Sequence, residues 1–557
     1  MSYQFKHYEK GSTQGSGSYV FRRYSEPSVI VPTTSAYFKF DGNALTGLSN
    51  AGKTAYENGD LTEIVIPRTY SIIGTITTTQ TFYNIWDLED YCFNNGFNFS
   101  FEYNGDTYYV NSDIDYFDYQ FYIEDIIDTD GYINITVTET EYGDGNDYQV
   151  TSVGESVFYG YTNLTSITIL NNITSIGYSA FNGCTGLTSI TIPSSVTNIG
   201  NYAFENTPWL SSVQINNDGI VQCSNDSTKY IMIKAKNTSI TSVPANFDKV
   251  VCIADNAFYQ CAGLTSITIP SSVTSIGGDV FNSCTGLTSI TIPNTVTSIG
   301  EYAFGHCSNL TSITIQNGVT SIGQGAFGSC TGLTTITIPS SVTIIDRNAF
   351  ENCTNLTSAT INANIESLSS VTFGSCSSLS NITLPSSLKS IDNYCFYNCT
   401  GLSSITLPSN LETLKQGAFQ GCSSLLSITI PNSVTLIEHF VFQNCTNLTS
   451  VSLGTGLVTL SYGAFQNCTS LTNIDIPSNV TSIGNYILKN CTSLTRVNIY
   501  TTSSTTKPTT ATASWFNGCN SSLVLHVPAS VTNPATAYGQ YWNYYSSNGT
   551  LTYYADL

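Results

Sequence analysis

One residue type recurs at a fixed interval. Cys261, Cys284, Cys307, Cys330, Cys353, Cys376, Cys399, Cys422, Cys445, Cys468 and Cys491 follow one another at steps of 23 residues. Around each, one template returns. From Cys284 it reads Leu287, Ile290, Ile292, Pro293, Val296, Ile299, Gly300, Ala303 and Phe304, ending at Cys307. The Leu-x-x-Ile-x-Ile spacing predicts a short strand whose apolar side chains point inward while their neighbours point out. Pro293 ends ladder pairing where the chain turns, and Gly300 gives a second corner freedom from Cβ constraints. The handful of apolar side chains in one such coil cannot offset the entropy of ordering it. Coils must therefore stack at about 4.8 Å, so that ladders and apolar rows run on from each to the next.

The phenylalanines Phe281, Phe304, Phe327, Phe350, Phe373, Phe396, Phe419, Phe442 and Phe465 precede the cysteines by three residues. Both rows are expected in the core, with thiols acting as small apolar groups. A metal role would need convergent ligands, but His7, His306, His439 and His526 are scattered and no Cys-x-x-Cys pair occurs. No metal or cofactor is expected. Disulfides between neighbouring coils would leave one of the 17 cysteines over.

Only 10% of residues are charged, with a net charge of −21, which a nucleic-acid backbone would repel. The longest apolar stretches, such as Ile64–Ile66, are far shorter than the roughly 20 residues that span a bilayer. Met1–Lys10 is polar and charged where a secretion signal needs an apolar run, so conventional export is not expected. No Ser-His-Asp ordering, glycine-rich phosphate loop or ligand cluster is present, and the chain is read as a non-enzyme.

With Cys-Thr-Gly-Leu-Thr-Ser-Ile-Thr-Ile-Pro at Cys284–Pro293, the repeats resemble the BspA-like leucine-rich-repeat family of bacterial surface proteins, found also in protists and phages. The resemblance covers about two-thirds of the chain. It implies adhesion or partner recognition through the solenoid surface and carries over no catalytic residue. The expected fold is a β-rich leucine-rich-repeat solenoid with short turns and helical corners, plus a small inserted α/β domain near the N-terminus.

Along the chain, residues 1–42 read as a polar N-terminal arm that could anchor the protein in an assembly. Residues 43–76 read as an N-terminal cap and first repeat, with a short helix at Ser49–Asn58 and the template in phase at Leu61–Pro67. Residues 77–148 break the template and are aromatic and acidic. A helix near Tyr83–Asn95 and strands at Asn98–Tyr103, Tyr108–Val110 and Tyr132–Tyr142 give the inserted domain. Asp128–Gly131 and Asp144–Asp147 lack EF-hand spacing and are read as tight turns. The solenoid spans 149–499. Its register slips between Cys184 and Cys261, so a hairpin insertion is expected at about 208–250, turning at Asn217-Asp218-Gly219. Residues 500–557 read as a C-terminal cap, with Tyr538, Tyr541, Trp542, Tyr544 and Tyr545 covering the last coil in preference to forming a carbohydrate-binding patch.

Function is expected on the outward strand positions. One column holds Thr268, Thr291, Thr314, Thr337, Thr360, Thr383, Thr406 and Thr429, then Ser452, Asp475 and Asn498. Its companion runs from Ser266 and Ser289 to Asn473 and Arg496. Threonine suits strands for structural reasons alone. The functional reading is a hydroxyl-rich surface that binds a cell-surface glycan or protein, with no membrane insertion and the option of homo-oligomers. The preferred setting is a phage virion, where a tail, fibre or capsid-surface protein attaches to the host and the arm contacts other subunits. The alternatives are a bacterial cell-surface adhesin, a structural virion decoration or spacer, and ice binding by the threonine array.

Overall fold

A computed structural model describes residues 150–557 apart from 217, 511–512 and 547–548. Before residue 150 it describes the backbone of nine strands, helical Lys53, and the side chains of Leu45, Leu48 and Lys53.

Each 23-residue coil has three sides, and every side bonds to its neighbours. The first is the strand of the template: Ser289–Ile292 pairs in parallel with Ser312–Ile315, joining Ser289 to Ser312 and Ile292 to Ile315. Its residues alternate exposed and buried, so Ile290 and Ile292 enter the core. The second is a two-residue strand, Ser298–Ile299, paired in parallel with Ser321–Ile322. On the third side the Tyr302, Phe304 and His306 amides donate to the Gln324, Ala326 and Gly328 carbonyls of the next coil, each at 2.8 Å. Two residues there adopt the left-handed region, Tyr302 at φ 48° and His306 at φ 58°. Left-handed residues cannot continue a right-handed helix, so the corners are turns and not the short helices the sequence suggested. From residue 150 on, described α-helix is limited to Pro208–Asn216 and Pro534–Tyr538.

The core holds both periodic rows. From Phe258 to Phe465, adjacent rings stack with centroids 5.2 to 5.7 Å apart and planes within 16°, an offset-stacked spacing favourable for aromatic pairs. The thiols do more than fill space. Cys307 Sγ donates to the Phe281 carbonyl of the preceding coil at 3.1 Å, and the same bond recurs from Cys284 to Cys491 at 3.0 to 3.3 Å. All sixteen described cysteines are buried and free of disulfides.

At the register slip, Thr207 Oγ1 accepts from the Leu210 amide at 3.1 Å and Pro208 opens the helix Pro208–Asn216. Trp209, Leu210 and Val213 bury its inner side. An antiparallel hairpin follows, Ile220–Cys223 with Asp226–Met232. Its turn is therefore at Ser224–Asn225 and not at the Asn217-Asp218-Gly219 expected from sequence. Instead Asp218 and Gly219, at φ 52° and 86°, lead into the first hairpin strand. The strand Val250–Ile253, buried throughout, brings the chain back. The Asp255 amide then donates to the Ile199 carbonyl at 2.8 Å, rejoining the ladder. The excursion divides the apolar interior into two clusters. It also ends each phenylalanine stack with an edge-on ring: Trp209 against Phe204 at 4.8 Å and Phe247 against Phe258 at 5.7 Å.

Towards the N-terminus, the strand Glu63–Val65 pairs in parallel with Ser166–Thr168, and Ala44–Leu48 with Ser152–Val153. Phe38–Asp41 pairs antiparallel with Ala44–Leu48. Between them, Thr75–Phe82, Ile133–Thr140, Phe99–Tyr103 and Asp106–Val110 make a four-stranded antiparallel sheet. The arm up to Tyr37, the helices read at Ser49–Asn58 (apart from Lys53) and Tyr83–Asn95, and the turns at Asp128–Gly131 and 144–146 lie outside the described residues.

Beyond Cys491 the stack gains a further coil of a different length. Cys519, 28 residues on, donates to the Leu488 carbonyl at 3.1 Å, as the periodic thiols do to phenylalanine. Val524–Val527 then pairs with Arg496–Ile499, and Thr552–Ala555 with Val524–Val527. Trp515, Tyr538 and Trp542 are buried together at this end, with Tyr538 and Trp542 centroids 5.1 Å apart.

Burial pushes the thiols of Cys184, Cys307, Cys399, Cys445 and Cys519 up to about 12 from 9.0. The folded state therefore holds protons that the unfolded chain releases above pH 9, so stability is full below that pH and falls as pH rises towards 12. Denaturant titrations at pH 6, 7.5 and 11 should show the midpoint constant over the first step and lowered over the second, with thiol-reactive reagents slow in native protein at pH 7.

Candidate functional site: the outward strand face

The inward half of each strand is committed to the core, which leaves the alternate positions as the variable surface. Thr268, Thr291, Thr314, Thr337, Thr383, Thr406 and Thr429 are exposed, and Thr360 is half-buried. Where strands pair they lie directly side by side: Thr291 beside Thr314, and Thr337, Thr360 and Thr383 in succession. The sheet is nevertheless interrupted. Ser289–Ile292 and Ser312–Ile315 form one pair, Thr335–Ile338 starts another set ending at Asn381–Thr383, and Thr406 lies outside any strand. The expected threonine column is present, but as short ladders.

Hydroxyl use separates this column from its neighbours. Thr288, Thr311, Thr334 and Thr357 each donate Oγ1 to the carbonyl of the equivalent threonine one coil earlier, at 3.0 to 3.4 Å. Thr297, Thr320 and Thr343 do the same along a second column, at 2.9 to 3.1 Å. Among the described residues, no hydrogen bond engages the hydroxyls of the eight outward threonines. The first two columns tie coils together, whereas the outward one faces solvent with its donors and acceptors uncommitted. Near the C-terminal end hydroxyls give way to a polar network, in which Arg496 Nε donates to Asn498 Oδ1 and Asn498 Nδ2 to Asp475 Oδ1.

Beside the column runs a cleft of about 660 Å³ that sequence reasoning did not anticipate, where Thr337 meets Asn294, Gln316, Asn317, Ser340 and Asn362. Its signal was readable as a gap in the proline row. Pro293 and Pro339 end their strands, but Gln316 and Asn362 hold that slot instead. Both keep a backbone amide, which donates to Ile292 and Ile338 at 3.1 and 3.0 Å, and both bring a side-chain amide to the cleft. Gln316 Oε1 accepts from the Asn294 amide at 3.0 Å. The lining is uncharged and rich in paired donor and acceptor groups. No group of three or more His, Cys, Asp or Glu side chains suited to a metal occurs among the described residues.

The model of the BspA type Leucine rich repeat region matches residues 151–243, 235–357, 327–438 and 415–538, more than two-thirds of the chain. The chain belongs to the BspA-type leucine-rich-repeat family. Among solved structures, this BspA-type chain is similar to a leucine-rich repeat protein from Bacteroides ovatus, at 25% identity and TM-score 0.45, covering 74% of this chain and 90% of the other. A leucine rich cell surface protein from Faecalibacterium prausnitzii has 26% identity and TM-score 0.34, with 74% and 89% covered. A leucine-rich repeat protein from Eubacterium ventriosum has 28% identity and TM-score 0.33, with 53% and 80% covered. None of the curated proteins matches the BspA-type chain in sequence.

The division between bonded and unbonded threonines predicts different costs for the same substitution. Thr311→Val should lower stability by about 1 kcal/mol through a lost hydrogen bond, whereas Thr314→Val should be close to neutral, because valine suits an exposed strand. Paired denaturant titrations of the two variants check this.

Proposed function

We propose that the chain is a non-enzymatic recognition protein that presents its outward threonine face, with the adjoining amide-lined cleft, to a glycan on another surface. The observation that carries this reading is the uncommitted state of the outward hydroxyls beside two columns in which Thr288 to Thr357 and Thr297 to Thr343 bond to the preceding coil. Neutral sugars offer hydroxyls that both donate and accept, and the uncharged Asn294, Gln316, Thr337 and Asn362 match them without desolvating a charge. An extended repeat surface suits a ligand with many weak, similar contacts.

BspA-type proteins are typically found on cell surfaces, which favours display on a bacterial envelope. Display on a phage virion is the alternative carrier. Surface labelling of intact producing cells and protein identification in purified particles separate the two. For the binding itself, full-length protein carrying Thr337→Val and Asn362→Ala together should retain its melting temperature and lose at least tenfold in affinity for whole cells. Unchanged attachment by a stably folded variant would move recognition away from this face.

A further inference from the structure

The left-handed position that opens the third side of each coil is filled by residues suited to it, by rings and, in one coil, by Val371 at φ 59°. In several coils it holds glycine, asparagine, serine or aspartate: Gly325, Asn348, Gly417 and Gly463, with Ser179 and Asp279 elsewhere. These residues tolerate positive φ at low cost. In others it holds a bulky ring, and Phe440 and Tyr486 sit at φ 59°. A non-glycine residue there costs on the order of 1 to 2 kcal/mol, and asparagine reduces that cost. Because the same fold is built elsewhere with residues suited to that geometry, the coil does not require a ring.

The rings also constrain the coil beneath them. A Cβ on Gly463 would come within 2.8 Å of the Phe440 ring, so an aromatic in one coil demands a bare backbone in the next. Gly417 under Tyr394 and Gly325 under Tyr302 repeat the arrangement at 2.4 and 2.2 Å. Tyr178 and Tyr202 meet in the early coils at 5.8 Å, and near the C-terminal end three rings gather into a row. Phe440 meets Tyr462 edge-to-face at 5.2 Å and 77°, Tyr462 meets Tyr486 edge-to-face at 5.0 Å and 79°, and exposed His439 flanks Tyr462 at 6.3 Å. Lys489 Nζ lies 4.8 Å from the Tyr486 centroid. Phe440, Tyr462 and Tyr486 are half-buried, held by their coils yet open on one side.

We propose that Phe440, Tyr462 and Tyr486 form a second ligand site, an aromatic strip of alternating ring faces and edges for a short chain of neutral sugars. Three rings across three consecutive coils, about 5 Å apart, give a strip far smaller than the roughly 800 Å² that each partner contributes to a stable protein interface. A sugar chain presents weakly polar CH faces and hydroxyls in linear succession, and that suits one aromatic per coil with faces and edges in alternation. The surroundings fit an uncharged ligand. Gln443 and Gln466 lie along the same turns, and an amide ladder runs beside them, Asn490 Nδ2 to Asn467 Oδ1 at 2.9 Å and Asn467 Nδ2 to Asn444 Oδ1 at 2.7 Å. Lys489 supplies a hydrogen-bond donor at one end. This site lies on the turn side of the coil, away from the threonine strands, and does not rest on the reading of that face.

The test uses full-length protein with Phe440→Asn and Tyr486→Asn, singly and together, and tri- to hexasaccharides of glucose, mannose and galactose, followed by calorimetry and tyrosine fluorescence. Asparagine relaxes the backbone, so the melting temperature should hold or rise while affinity for the bound sugar falls at least tenfold. Thr337→Val should leave that affinity unchanged. A fall in melting temperature with unaltered sugar binding would show rings that serve packing alone and overturn the proposal. So would the absence of binding by wild-type protein to every sugar in the set. Loss of binding in Thr337→Val but not in the asparagine variants would overturn it too, while leaving the strand-face function standing.

Discussion

Everything in this structure depends on coil-to-coil backbone bonding at a fixed 23-residue offset. Within a single coil only corner bonds form, such as those from the Val296 amide to the Pro293 carbonyl and from the Leu310 amide to the Cys307 carbonyl, and the remaining amides and carbonyls have no partner there. The neighbouring coil supplies those partners on all three sides, and burial makes an unpaired group expensive. Once the offset is fixed, side chains have no choice of position. The thiol of one coil falls on the phenylalanine carbonyl of the coil before, and the phenyl rings stack with nearly parallel planes. A one-residue slip would turn the apolar strand positions outward and carry the left-handed slots to residues that resist positive φ. The periodicity of the sequence is thus the constraint itself, and the composition follows from it.

Where the period held, the strand side and the core were legible residue by residue, although the left-handed turns of the third side were read as short helices. The strand alternation, the proline and glycine corners and the buried Cys and Phe rows all follow from side chains repeating in step. Legibility failed where the coil length changed. The coil ending at Cys519 was obscured because its 28-residue length breaks the count, although Phe516-Asn-Gly-Cys519 repeats Phe181-Asn-Gly-Cys184. The helix Pro208–Asn216 was missed although Thr207 and Pro208 are an N-cap and first-turn signal. Attention to the Asn-Asp-Gly turn placed a hairpin where the chain is only leaving that helix. The threonine column could be read from sequence, but which threonines were bonded could not. That distinction depends on whether a hydroxyl sits over the preceding coil's carbonyl or stands off the sheet, a matter of orientation that identical residue types do not reveal.

The excursion between Phe204 and Phe258 shows how such a stack tolerates insertion. An insert that left the ladder open would expose unpaired groups on two faces. Here Asp255 rejoins the ladder at Ile199, and the Ser275 hydroxyl reaches the Thr197 carbonyl at 3.3 Å, 78 residues away. The returning strand faces both ways: Val251 and Cys252 belong to the core on one side, Val250 and Ile253 to the core on the other. Burial of all four residues of Val250–Ile253 follows from that position between two interiors. The carboxyl of Asp255, pushed up to about 7 mainly by burial, accepts from the Gly278 amide at 2.8 Å. A polar group is tolerated at this seam because the backbone itself satisfies it.

The same constraint decides where such a protein can diversify. Inward positions are held by stacking, proline and left-handed positions by backbone geometry, and two threonine columns by bonds between coils. What remains is the outward strand face, the slots where proline gives way to an amide, and the left-handed slots when the next coil carries glycine. Each is a column, so a change in one coil alters its immediate neighbours and little else. Recognition on this scaffold therefore grows by adding similar small contacts along an axis. Gln316 and Asn362 at proline slots, and Phe440 above Gly463, are departures from the template that the fold accepts without needing them. Their chemistry is more informative about function than that of the residues that conform.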